Sequence, residues 1–178
     1  MHVMKKVIGL LLAVLMVLTG CGGQGGGGAA PSQPDTLSSQ FSCVADIHYN
    51  EMDIKANVVS PSPGLYTIEV LEPASLKGLK VEWTGQQIQL GYLGLSVGID
   101  PATLPDSLFG TILIDVFNKT AAKDGMSIET GENELILHGK TDTGDFTVSM
   151  DRQTGALKSI LVPSAGLEAQ FSAFTKGG

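Results

Sequence analysis

One change of hydrophobic period constrains this chain more than anything else in it. From Phe41 onward apolar residues recur at every second position, stretch after stretch, as half-buried β-strands require. The period shifts once. Leu108, Phe109, Ile112, Leu113, Val116 and Phe117 fall along one face of an α-helix, with Thr111, Asp115 and Asn118 on the other side. Asp100-Pro101 and Pro105-Asp106 open that segment, and Lys119, Lys123 and Gly125 sit where a helix ends. The spacing predicts one helix at about 105–123 and otherwise strands.

The strands follow one another closely. Phe41 to Tyr49 alternates, and Ile54, Ala56 and Val58 form a second strand before Ser60-Pro61-Ser62-Pro63-Gly64 breaks it. Leu65 to Leu71 and Leu79 to Trp83 are third and fourth. Ile88 to Val97 reads as a fifth, continuously apolar and interrupted by Gly91 and Gly94. After the helix come Ser127 to Thr130, Leu135–Leu137, Phe146–Met150, Leu157 to Val162, and a last strand with Leu167, Ala169, Phe171 and Ala173 on one side. Nine or ten strands with tight turns predict an antiparallel meander. An open twisted sheet of that size curls, and one amphipathic helix suits its concave face. The expected fold is mainly β: a curved antiparallel half-barrel capped by the helix. Its candidate cavity-lining residues are Tyr66, Trp83, Tyr92, Phe109, Leu113, Phe117 and Phe146.

The N-terminal residues carry an address. Lys5 and Lys6 precede an apolar run from Val7 to Leu18, then small residues and Cys21. This is the layout of a secretory signal, and the run is shorter than the ~20 residues a membrane-spanning helix needs. Leu18-Thr19-Gly20-Cys21 resembles a bacterial lipobox. That resemblance implies diacylglycerol on the Cys21 thiol, cleavage before Cys21, and anchoring at the outer face of the cytoplasmic membrane. Each buried methylene contributes ~0.8 kcal/mol, so two or more chains hold stably. Gly22 to Gly28 and the Pro/Ser-rich residues to Thr36 cannot build a core. A coil of that length reaches roughly 20–25 Å. The expected division is therefore a signal peptide at 1–20, a lipidated tether at 21–37 and an antiparallel β domain at 38–178.

Charge narrows the partners. The chain has 11 Lys plus Arg against 18 Asp plus Glu, and two of the basic residues lie in the signal. Such a surface repels phosphates, so nucleic acid is not an expected partner. With Cys21 committed to lipid, Cys43 is left without an intramolecular partner and reads as a buried, inert thiol.

No arrangement of reactive residues makes an enzyme. Ser42, Asp46 and His48 share one strand face, but a nucleophile also needs a held base and an oxyanion hole. Asp46, His48 and His138 lack a recognisable zinc spacing. The single carboxylate of Asp151 to Gly155 is far short of the oxygens that calcium takes. No Gly-rich phosphate loop opens the helix, and Asn118-Lys119-Thr120 lies on the helix. No catalysis, metal or cofactor is expected.

Taken together, the lipobox, the strands Phe41 to Tyr49, the stretch Leu71-Glu72-Pro73 through Leu76-Lys77-Gly78-Leu79, the mid-chain helix, and Phe146 through the Asp151-x-x-Thr154-Gly155 hairpin resemble the LolA/LolB lipoprotein-carrier superfamily, in particular its lipid-anchored Gram-positive, GerS-like members. The resemblance covers most of residues 38–174. It implies non-catalytic binding of a lipid or acylated protein, or alternatively of an envelope enzyme such as a peptidoglycan hydrolase. The lipid on Cys21 departs from the soluble carriers and implies a resident of one membrane.

Overall fold

The structure is a computed structural model that describes Leu37 and residues 40–103, 108–123 and 125–177. They belong to a compact unit, Gln33–Gly178, with a hydrophobic core of its own. The expected signal peptide, Cys21 and nearly all of the tether lie outside the described residues.

Eleven strands form a single antiparallel sheet: β1 (Phe41–Tyr49), β2 (Met52–Ser60), β3 (Tyr66–Glu72), β4 (Lys80–Trp83), β5 (Ile88–Tyr92), β6 (Leu95–Ile99), β7 (Ser127–Thr130), β8 (Glu134–Thr141), β9 (Gly144–Asp151), β10 (Leu157–Val162) and β11 (Leu167–Lys176). The order across the sheet is β6-β5-β4-β3-β2-β1-β11-β10-β9-β8-β7. Two meanders are thus joined at the middle, where β1 pairs with β11. β6 and β7 are the free edges, so the sheet stays open. The chain passes from one edge to the other through a 3-10 turn at Pro101–Thr103 and the helix α1 (Phe109–Ala122). The fold class is the one expected: mainly β, antiparallel, curved and open, with one α-helix among the described residues.

The helix shows why the sheet must curve. Gly110 of α1 lies so close to β4 that a Cβ there would stand 3.1 Å from Val81 Cγ2. On its other side α1 packs against β8. Seven inter-strand steps separate β4 from β8, about 34 Å across a flat sheet. A helix of 14 residues is only about 21 Å long and about 10 Å wide. One helix reaches both strands only because the sheet wraps around it.

Three local features differ from the sequence reading. The expected fifth strand is a hairpin: β5 and β6 pair in register around a turn in which Leu93 has φ 51° and Gly94 φ 82°. A two-residue turn of that handedness normally announces itself with Asn-Gly or Asp-Gly; leucine in the first position hides it. The alternation of β11 breaks after Phe171. The register with β1 shifts between the pairs Ser42–Thr175 and Val44–Ser172, and Ala173 takes φ 51°. This bulge turns Ala173 outward and returns Phe174 to the side of Phe171, where it stacks on Phe41 at 5.4 Å. Finally, α1 ends one residue early, with Lys123 rather than Gly125 as its left-handed cap; residues 104–107, in the expected first turn, are outside the described residues.

Candidate functional site

Inward-facing residues follow from the register. Tyr66 opposes Trp83, Ile68 opposes Val81, Val81 opposes Leu90, Trp83 opposes Ile88, and beyond them lie the pairs Ile88–Ile99, Leu90–Val97 and Tyr92–Leu95. One apolar stripe therefore runs across the inner face from β3 to the β6 edge. The helix covers only part of it. Ile68 and Val81 are fully buried, Trp83 and Leu90 are partly buried, and Val97 and Leu95 are 55% and 78% exposed. Leu93, at the hairpin tip, is 82% exposed.

Between helix and sheet the interior is filled. Phe117 meets Tyr66 at 5.2 Å and Phe41 at 5.9 Å between ring centroids, and Phe171 at 6.3 Å. Phe109 meets Tyr49 at 6.4 Å. Phe109, Leu113, Phe117, Tyr66 and Phe146 are all buried. Burial pushes the Tyr66 phenol above its ordinary pKa, because the ionised form would lose its water. Phe146 fills the place left by the missing side chain of Gly139 opposite it: a Cβ on Gly139 would overlap the Phe146 ring, with Cε1 only 2.8 Å away.

Of the seven aromatic and aliphatic candidates, five thus belong to the packed core. Tyr92 stands apart on β5, its hydroxyl donating to Ser75 O at 2.9 Å. Trp83 lines open space beside the helix. There a cleft of about 320 Å³ lies between α1, β4–β5, the Pro101–Ala102 turn and the 142–143 hairpin. Ile88, Ile112 and Ile114 give it an apolar floor, and Thr111, Asp115, Asn118 and Asp142 give it polar walls. Its lining includes two carboxylates and no Lys or Arg. Sequence reasoning assigned Thr111, Asp115 and Asn118 to the outer side of the helix. The signal for their role was the hidden β5–β6 hairpin, which brings Ile88 and the 101–102 turn alongside them.

The outer face carries paired charges. His48 Nδ1 is 2.8 Å from Asp53 Oδ1, and Lys55 Nζ is 3.4 Å from Asp46 Oδ1. Asp46 thus faces a lysine, and the carboxylate beside His48 is Asp53. Ser42 lies three alternate positions from His48 along β1, about 20 Å at strand rise, so the three do not assemble. His138 belongs to β8 and contacts Thr147 and Glu129, at 3.1 and 3.5 Å. Among the described residues, no three His, Cys, Asp or Glu side chains converge as a metal site would require. Cys43 is buried on the inner face, and desolvation pushes its thiol up to about 12.

No family model matches the sequence, and no curated protein is recognisably similar to it. Among solved structures, an uncharacterized conserved protein from Thermus thermophilus is similar with a TM-score of 0.54 at 13% identity, over 82% of this chain and 83% of that one. That likeness shows the fold alone. A LolA superfamily protein from Nitrosomonas europaea aligns with a TM-score of 0.40 at 10% identity, over 80% of this chain and 87% of that one. A chain of the solved complex of the CwlD amidase from Clostridioides difficile with the GerS lipoprotein aligns with a TM-score of 0.39 at 13% identity, over 67% of this chain and 74% of that one. Neither of these two carries an argument about this chain.

Proposed function

We propose that this chain is a lipid-anchored protein of the cell envelope that binds an apolar ligand without catalysis. Lipid on Cys21 holds it at the outer face of the cytoplasmic membrane. An acyl chain enters beside Trp83 and lies on Ile88, Ile112 and Ile114. The cleft carries this reading: it joins an apolar floor to polar walls within the size range of small-molecule sites. With Asp115 and Asp142 in its lining and no cation, it suits an acyl group whose head is neutral or an amine and disfavours a phosphate. The lipobox and the resemblance of the sequence to lipoprotein carriers support the same reading.

Trp83 is the single tryptophan, so its emission reports the cleft. Titration with a monoacylglycerol should shift that emission to shorter wavelength with saturation. Ala102→Phe, which places a ring at the exposed mouth of the cleft, should abolish the shift. An unchanged Trp83 spectrum across the titration sinks the proposal. For the anchor, metabolic labelling with an alkyne fatty acid should mark the chain and fail to mark Cys21→Ser.

A second reading has the chain docking on an envelope enzyme such as a peptidoglycan hydrolase. The exposed tip Leu93 to Leu95 favours it, since large apolar side chains clustered at a tip suit a protein contact. Recovery of one hydrolase from envelope extracts that is lost with Leu93→Ser would support it; equal recovery with the variant would not.

A further inference from the structure

We infer that the β6 edge pairs with the β6 edge of a second copy of this chain, joining two sheets about a two-fold axis. A sheet edge displays unpaired backbone donors and acceptors, and natural sheets blunt such edges with charges, proline or bulges. The β7 edge follows that rule, carrying Glu129 beside His138. The β6 edge has none of these devices. Its five residues pair with β5 without a register shift, four of the five are exposed, and no charged residue occurs from Thr84 to Ile99. In a chain this acidic, that stretch is where a second copy meets no like charge.

The sequence of β6 is complementary to itself. Antiparallel pairing centred on Val97 sets Val97 against Val97 of the second copy, Leu95 against Ile99, and Ser96 against Gly98. Apolar residues then meet apolar ones on the inner face, and the two smallest meet on the outer face. Asp100, the nearest charge, comes opposite Gly94. The exposed Leu93 comes towards the Pro101–Thr103 turn of the second copy. Because β7 is charged, the complementary contact is the isologous one, which closes as a dimer instead of growing into a fibre. A five-residue ladder is a small interface. Copies held in one membrane, as the anchoring reading above has it, would raise its occupancy through local concentration. The pairing itself does not depend on the acyl cleft or on the anchor.

Sedimentation equilibrium of the Gln33–Gly178 unit tests this. Wild type should show a reversible monomer–dimer equilibrium. Val97→Glu and Val97→Lys each place like charges face to face at the axis and should weaken self-association by at least about tenfold. Mixing the two in equal amounts should restore the dimer, because the pair at the axis is then opposite in sign. Val97 is more than half exposed, so at low concentration, where wild type is monomeric, circular dichroism and the unfolding midpoint should stay as in wild type. A wild type with the mass of one copy at about millimolar concentration overturns the proposal. So does either single variant that dimerises like wild type, or a mixture that remains monomeric. Trp83 titration of the monomeric variants reads the acyl cleft separately, so the two proposals can fail independently.

Discussion

Gly139 and Phe146 show how much one missing methyl group can decide. The Phe146 ring, 2% exposed, lies over the bare backbone of Gly139, where an added Cβ would overlap it. A buried ring has no free rotamer to retreat into, so Gly139→Ala should cost about 1–3 kcal/mol in urea unfolding. Phe146→Leu in the same chain should recover part of that loss, a coupling a double-mutant cycle would display. Cys43 makes a prediction of a different kind. Its thiol titrates at about 12 in the fold against 9.0 in a free chain. Below pH 9 both states keep the proton and the thiol has no effect. Between pH 9 and about 12 the unfolded chain ionises and the folded one does not, so stability falls as pH rises, by at most about 1.4 kcal/mol per unit. Cys43→Ala should flatten this part of the alkaline stability curve, and a thiol reagent should label Cys43 only after denaturation. Asp151 shifts the other way. The Thr154 backbone N–H and then the Thr154 hydroxyl donate to its Oδ1, both at 2.8 Å, with Gln153 N at 3.1 Å. These bonds hold the carboxyl below its ordinary value. NMR titration should show that depression, and Thr154→Ala should move Asp151 back up.

Among the elements, the helix depends on one glycine for its seat. A Cβ on Gly110 would meet all three outer carbons of Val81 at 3.1–3.3 Å, and Val81 is fully buried and stiff at χ1. Gly110→Val should lift α1 from β4 and lower the thermal midpoint by several degrees, corresponding to about 1–3 kcal/mol. Val81→Ala should relieve part of it. These elements differ in how plainly the sequence showed them. Strict alternation in Phe41 to Tyr49 located β1 to the residue, because a half-buried strand has one period and one solution. The two-sided stripe of the helix was equally plain. The β5–β6 hairpin was not, because Leu93 adopts a backbone conformation that leucine rarely takes and nothing local advertises it. The bulge at Ala173 was hidden too: an alternating run looks the same whether or not the backbone slips by one residue within it. For the same reason the candidate site was only partly visible. Periodicity told that Tyr66, Phe109, Leu113, Phe117 and Phe146 face inward, but it carries no information on whether protein or open space meets them there. Trp83 borders the cleft because the helix stops covering the inner face at β4, a fact of length and placement that no single strand encodes.

At the scale of the whole molecule, the central pairing of β1 with β11 brings the ends of the fold together. Phe41 pairs with Lys176, and Gly177 N donates to Gln40 O at 3.0 Å. Joining residue 177 to residue 40 through a short Gly/Ser linker, and opening the chain between Gly131 and Glu132 in the exposed β7–β8 turn, should leave the sheet order intact. The permutant should keep the far-UV circular dichroism of the parent and unfold in one transition. Two independent units, or loss of strand signal, would show that the β1–β11 seam needs the natural order of synthesis.

That seam also settles how the molecule would bear a load. The first described strand is β1, which lies in the middle of the sheet with a nine-residue ladder to β2 and a long one to β11. A pull on the N-terminal segment acts along β1, so it strains both ladders in shear, with many hydrogen bonds resisting at once. Had the chain entered at β6 or β7, the same pull would have peeled an edge strand away one bond at a time. A domain pulled through the strand at its centre does not start to unravel at the point of attachment.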